Sequence, residues 1–167
     1  MLANTLTISR VVLSVALLLP DAFSPQFFAI YGLAGLTDMV DGLVARTTGT
    51  ESGLGARLDS FADLVLAIAC LAKVLPAIEV PTWLWVWIAL IALVKVINVI
   101  SGLVIKRRLV LPHTIANKAA GLAAFLVPFA IPMLGITVPA IVACAIATFA
   151  AVQEGHLIRT RTIGPTA

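Results

Sequence analysis

Charge is what this chain has least of. Asp, Glu, Lys and Arg make up only 11% of its 167 residues, while 61% are hydrophobic. A soluble domain carries about a quarter charged residues, so this composition excludes an ordinary soluble globular domain and points to a membrane protein. Cysteine is nearly absent. Cys70 and Cys144 each sit inside an apolar run, which excludes a disulfide framework or a cysteine metal site and leaves them as small packing residues. The N-terminus has no basic segment ahead of its first apolar run, so no cleavable signal peptide is expected. With a net charge of only +3, nucleic acid is not an expected partner.

What the chain has instead is hydrocarbon, with a mean hydropathy of +1.11. The apolar runs predict an all-α integral membrane protein, a six-helix bundle forming a single domain over residues 1–167. The expected spans are 7–19, 25–44, 58–75, 83–105, 116–133 and 138–158. Some fall below the usual ~20 residues, so tilted or interfacial ends are expected. Arg10 suggests that the first helix starts at headgroup level. An even number of spans puts both termini on one side, together with loops 45–57 and 106–115. That side holds Arg10, Arg46, Arg57, Lys106, Arg107, Arg108, Lys118, Arg159 and Arg161, nine of the eleven basic residues. The opposite loops contain only Asp21 and Glu79 as charges. The basic side is therefore expected to be cytoplasmic, against anionic lipid of the inner cell membrane. Trp83, Trp85 and Trp87 read as an aromatic belt at the outer surface, and Lys73 as a snorkelling lysine near it.

Acidic residues are concentrated. Four of the eight (Asp38, Asp41, Asp59 and Asp63) lie within 26 positions, each at or near the end of an apolar run. Ionised carboxylates so close to hydrocarbon need compensation. Asp38, Asp41, Gly42 and Ala45 stand at i, i+3, i+4 and i+7, one face of a helix, and Asp59 and Asp63 at i, i+4 share a face of the next. Two such helices facing each other present an all-oxygen ligand set, suited to a hard cation such as Mg²⁺.

The pattern D-x2-D-G-x2-A-R-x8-G-x3-D-x3-D, carried by Asp38, Asp41, Gly42, Ala45, Arg46, Gly55, Asp59 and Asp63, resembles the signature of the CDP-alcohol phosphotransferases (class I CDP-alcohol phosphatidyltransferases). The resemblance implies a phospholipid-synthesising enzyme in which an acceptor hydroxyl attacks the β-phosphate of CDP-diacylglycerol and CMP leaves. It implies two Mg²⁺ per site, with Mn²⁺ as an alternative: one held by Asp38, Asp41 and Asp59, the other by Asp38, Asp59 and Asp63. Asp63 is also the implied general base. Asn4, Thr7, Gly42, Ala45, Arg46, Ser52 and Gly55 are the implied contacts to the CDP-lipid. A homodimer is implied as well.

Several of these residues also have plainer readings. Asn4 or Thr5 can cap a helix, and Arg46 can snorkel at the interface. Lys95, deep in the fourth apolar run, can meet an acceptor phosphate or simply pair with a carboxylate. Arg107 and Arg108 can be a stop-transfer anchor. With His113 and Lys118 they can instead form an electropositive recess for a phosphorylated acceptor. The opening Leu6-Thr7-x-x-Arg10 with Pro20 resembles phosphatidylglycerophosphate synthases and favours glycerol 3-phosphate. The Leu58–Leu64 variant of the motif is nearer phosphatidylserine synthases, and inositol phosphate is a further alternative. From another class, acids in small-residue helices can form a cation- or proton-coupled transporter site, or bind a metal in a scaffold subunit. The acids cluster at a membrane boundary rather than the midplane, and no inverted repeat is visible, which argues against the transporter.

Overall fold

The computed structural model describes residues 2–48, 53–106 and 114–160, and the side chains within them other than 2–7, 38–48, 53–57, 59–60 and 105–106. Among the described residues the regular structure is helical throughout: α1 (Leu2–Ala16), α2 (Pro25–Thr48), α3 (Gly53–Val74) followed by a single 3-10 turn (Leu75–Ala77), α4 (Thr82–Lys106), α5 (Ile115–Leu134) and α6 (Thr137–Thr160). They group into two compact units, Met1–Glu79 and Val80–Ala167.

In the first unit α1 packs against both α2 and α3. Each helix buries one stripe. On α1 it is Arg10 and Ser14, continued by Leu17 just past its end; on α2 it is Phe27, Tyr31 and Ala34; on α3 it is Ala62, Leu66, Ala69 and Cys70. These intervals of three and four residues are the helical period. Ser24 caps α2 by accepting a hydrogen bond from the Phe27 N–H, and Pro25 occupies the first helical position, where its missing donor costs nothing. Phe23, in the turn before it, has φ +62°, a strained value for a bulky side chain. Its ring packs edge-on against Phe27 at 6.3 Å.

In the second unit α6 packs against α4 and α5. Thr114 caps α5 through the Asn117 N–H, and Gly135 ends it at φ +65° with its N–H on Ile131 O. Leu84, Ala140 and Cys144 form a tight core between α4 and α6. Across the same pair of helices Trp87 Nε1 donates to Thr148 Oγ1 at 3.0 Å, so Trp87 braces α4 on α6 while Trp83 and Trp85 stay exposed. Most of α4 exposes Leu, Ile and Val, including Leu90, Leu93, Val96, Ile97 and Ile100. An apolar face that long belongs in lipid.

Three helices among the described residues are long and apolar enough to cross a membrane: Thr82–Val104, Ile115–Leu134 and Thr137–Thr160. Among the described residues there are six α-helices, and α1, with 15 residues, is only about 22 Å long at ~1.5 Å per residue, short of the ~30 Å hydrocarbon core. Two helix starts differ from expectation. The first helix begins at Leu2, so Asn4 and Thr5 are positions inside α1 and not caps. The third begins at Gly53 rather than near residue 57, which puts Asp59 and Asp63 at its seventh and eleventh residues, beyond the first turn where the helix dipole would hold an anion. Both cysteines are buried thiols, as packing residues should be.

Candidate active site

The signature residues are distributed over consecutive helices. Asp38, Asp41, Gly42, Ala45 and Arg46 belong to α2, and Gly55, Asp59 and Asp63 to α3. Along α2 the buried stripe Phe27, Tyr31, Ala34 is continued at the same intervals by positions 38, 41 and 45. Along α3, position 59 precedes Ala62 and Leu66 in the same way. Tyr31 on α2 and Cys70 on α3 interact through their side chains. Both α2 and α3 pack against α1. Asp38 lies seven residues beyond Tyr31, and Asp63 seven residues before Cys70. Each step is about 10 Å of helix.

Asp63 is the one signature carboxylate whose side chain is described. It is half-exposed, and Arg10 Nη1 donates to its Oδ1 at 2.8 Å. Arg10 is completely buried on α1, and the Ser14 hydroxyl donates to the Arg10 carbonyl at 2.7 Å. Its guanidinium turns inward to a carboxylate 53 residues away, because an arginine in an apolar helix is stabilised far more by an anion than by hydrocarbon. No periodicity in the sequence could have named that partner.

The donor set fits a divalent cation in its chemistry. All four acids are carboxylates on consecutive helices, and hard cations take oxygen ligands. Arg10 fixes the half-exposed Asp63 carboxylate, the kind of outer partner that holds carboxylates able to bind a metal. Among the residues whose side chains are described there is no group of three or more potential ligands; the side chains of Asp38, Asp41 and Asp59 lie outside them. So do those of Asn4, Thr7, Ala45 and Arg46, together with the whole of Ser52, Arg107, Arg108 and His113.

In the second unit Lys95 pairs with a carboxylate. Its Nζ lies 3.3 Å from Glu154 Oε2 and 3.2 Å from Asn117 Oδ1, while Asn117 Nδ2 donates to Glu154 Oε2 at 3.1 Å. Glu154 is a residue that sequence reasoning missed. The signal was present, since a lysine inside an apolar helix calls for an anion and few acids were left to supply it. Lys118 is exposed on α5.

Residues 1–154 match the model of the family described as CDP-alcohol phosphatidyltransferase. Over 103 residues the chain is 35% identical to a CDP-diacylglycerol--glycerol-3-phosphate 3-phosphatidyltransferase of Haemophilus influenzae, covering 59% of this chain and 54% of that protein. The match thus spans about half the length of that relative. No solved structure matches the chain.

Proposed function

This chain belongs to the CDP-alcohol phosphatidyltransferase family, a family of enzymes, and we propose that it transfers a phosphatidyl group from CDP-diacylglycerol to glycerol 3-phosphate in phospholipid synthesis. The observation that carries this reading is the full set of eight signature residues from Asp38 to Asp63 inside a chain matched over residues 1–154. Glycerol 3-phosphate is the acceptor named for the Haemophilus influenzae relative. The basic character of Arg107, Arg108, His113 and Lys118 suits a phosphorylated acceptor.

In the proposed reaction the acceptor hydroxyl oxygen bonds to the β-phosphorus of the CDP-lipid, the pyrophosphate bond breaks, and CMP carries away the electron pair. Asp63 takes the hydroxyl proton. Asp38, Asp41, Asp59 and Asp63 would hold two Mg²⁺, which when bound neutralise the diphosphate and the leaving CMP. Arg46 offers a planar fork to a donor phosphate. Gly42 and Ala45, with little or no side chain, leave room for the nucleotide to approach α2. Asn4, Thr7, Ser52 and Gly55 complete the proposed CDP-lipid contacts. We place all six helices in a cell membrane with the signature helices opening to the cytoplasm, so that acyl chains stay in lipid while a polar acceptor arrives from water. A homodimer is part of the same reading.

The test is CMP release by the purified protein in lipid-detergent micelles, supplied with CDP-diacylglycerol and Mg²⁺. Glycerol 3-phosphate should be the acceptor that drives release, with serine, inositol and inositol phosphate as competitors. Release driven by one of the others would correct the acceptor. No release with any of them, alongside cation flux in proteoliposomes, would replace the transferase reading by the transporter one.

A further inference from the structure

Helices α4 and α6 run side by side in the same direction. Leu84 packs with Ala140 and Cys144 near their starts, Trp87 Nε1 reaches Thr148, and Asn98 Nδ2 reaches the Ala151 carbonyl. Around and beyond that last contact the two helices flank an open recess of about 390 Å³, the size of a small-ligand site. Asn98, buried at 3% exposure, lies on its floor and is held there by the 2.7 Å bond to Ala151 O. Gly155 permits this placement, because a Cβ there would stand 2.6 Å from Asn98 Oδ1.

The recess is polar at one end and apolar at the other. His156 and Arg159, about one turn apart on α6, line the polar end. Neither side chain is tied to another described residue, and none of the described residues lining the recess is acidic. Val94 and Val152 are the walls of the apolar end. One turn further from Arg159 come Leu90 on α4 and Phe149 on α6, at 56% and 63% exposure, so an apolar track leads away from the two nitrogen donors. Depth agrees with this polarity. Fifteen residues of α4 separate Trp83 from Asn98, and eight of α6 separate Ala151 from Arg159, about 35 Å in all at ~1.5 Å per residue. A hydrocarbon core is ~30 Å thick. With the exposed indoles of Trp83 and Trp85 at one interface, where such rings settle, Arg159 stands among the headgroups of the other leaflet.

We propose that the α4–α6 recess binds an anionic phospholipid, its phosphate held by Arg159 and His156 and an acyl chain lying on the track past Val94 and Val152. The Arg159 guanidinium forks onto two phosphate oxygens, and the His156 ring donates a further bond. A free phosphorylated metabolite would meet the same donors but leave the track uncovered, whereas a diacyl lipid covers it. Only α4 and α6 contribute, so the site exists whether or not the chain is a transferase.

The full chain, purified in detergent, is titrated with phosphatidylglycerol, and the bound lipids are counted by native mass spectrometry. One phosphatidylglycerol should bind more tightly than the rest. Phosphatidylcholine, whose phosphate is paired with its own ammonium, and glycerol 3-phosphate, which has no chains, should not displace it. Arg159→Gln should weaken this binding by about 5-fold or more, the contribution of one basic residue at an anionic lipid surface. Val152→Trp, which fills the recess from an exposed position and alters no charge, should abolish it. Lys118→Gln, which removes a charge from an exposed position on α5, and Asp63→Asn in the signature segment should leave it unchanged. Helicity and elution profile report folding; should Val152→Trp not fold, His156→Gln takes its place, with weakened binding expected. Undiminished binding in the folded recess variants would overturn the proposal. So would an equal loss in Lys118→Gln, which would reduce the attraction to general surface charge, or a loss in Asp63→Asn, which would move the lipid to the signature segment. Displacement by glycerol 3-phosphate or phosphatidylcholine would overturn the choice of an anionic lipid. CMP release is read separately, and its absence overturns the transferase reading while leaving each of these outcomes decisive.

Discussion

Lys95 on α4 and Glu154 on α6 meet at 3.3 Å, yet the lysine side chain is 42% exposed and the glutamate only 5%. The inequality predicts an unequal response to mutation. Lys95→Met leaves a buried carboxylate with Asn117 as its remaining described donor and should destabilise the fold by about 3 kcal/mol, the low end for breaking a buried pair. Glu154→Gln leaves a lysine that already reaches outward, and should cost about 1 kcal/mol, the scale of an ordinary hydrogen bond. The double substitution should recover most of the Lys95→Met loss. Thermal unfolding in detergent measures all three; equal drops for the two single variants would mean that burial does not govern this pair.

A second prediction comes from the contact between α4 and α6 one turn along. Asn98 is buried and its Nδ2 donates to the Ala151 carbonyl at 2.7 Å. A Cβ on Gly155 would fall 2.6 Å from Asn98 Oδ1. Gly155→Ala must therefore push the amide away and break a buried hydrogen bond, at about 1–3 kcal/mol. Gly121→Ala in exposed α5, where a Cβ meets nothing within 4 Å, should instead stabilise the helix by about 0.5–1 kcal/mol. Opposite signs in the two melting shifts are the expected result, and truncating Asn98 to Ala should relieve the clash at Gly155→Ala.

These contacts mark what the sequence could and could not reveal. The helices were legible because apolar runs and helical spacing are local properties. The start of α1 was misjudged because polar Asn4 and Thr5 suggest a cap, whereas the helix simply continues through them. The helical placement of the acids was legible because intervals of three and four along the chain are local too. Their partners were not. Arg10 and Asp63 are 53 residues apart, and Lys95 and Glu154 are 59; such pairs depend on how helices pack. The rule that an intramembrane charge seeks a partner says only that a partner exists.

Metal removal tests the donor set directly. Treatment with EDTA should abolish CMP release, and added Mg²⁺ should restore it, since carboxylates alone would repel the diphosphate they are proposed to receive. Asp63→Asn should lower release by at least about 100-fold, the lower bound for losing a general base, and excess Mg²⁺ should not restore it. Undiminished turnover in EDTA, or an active Asp63→Asn variant, would remove the aspartates from the proposed chemistry.

The proposed orientation in the membrane can be read with thiol chemistry on intact cells. Cys70 and Cys144 are buried at 6% and 7% exposure, so they give little background to a membrane-impermeant maleimide and can stay in place. Single cysteines replacing exposed Asp21, Glu79, Lys118 or Thr160 then report which side each segment occupies. Basic residues are retained on the cytoplasmic side because the membrane potential and the insertion machinery oppose their export, whereas acidic residues contribute little. Asp21→Cys and Glu79→Cys should therefore be labelled from outside, and Lys118→Cys and Thr160→Cys only after permeabilisation. Labelling of the Lys118 position in intact cells would turn the bundle over and put the proposed acceptor on the wrong side of the membrane. Labelling of Asp21 and Glu79 from opposite sides would show that α2 and α3 do not both cross the bilayer.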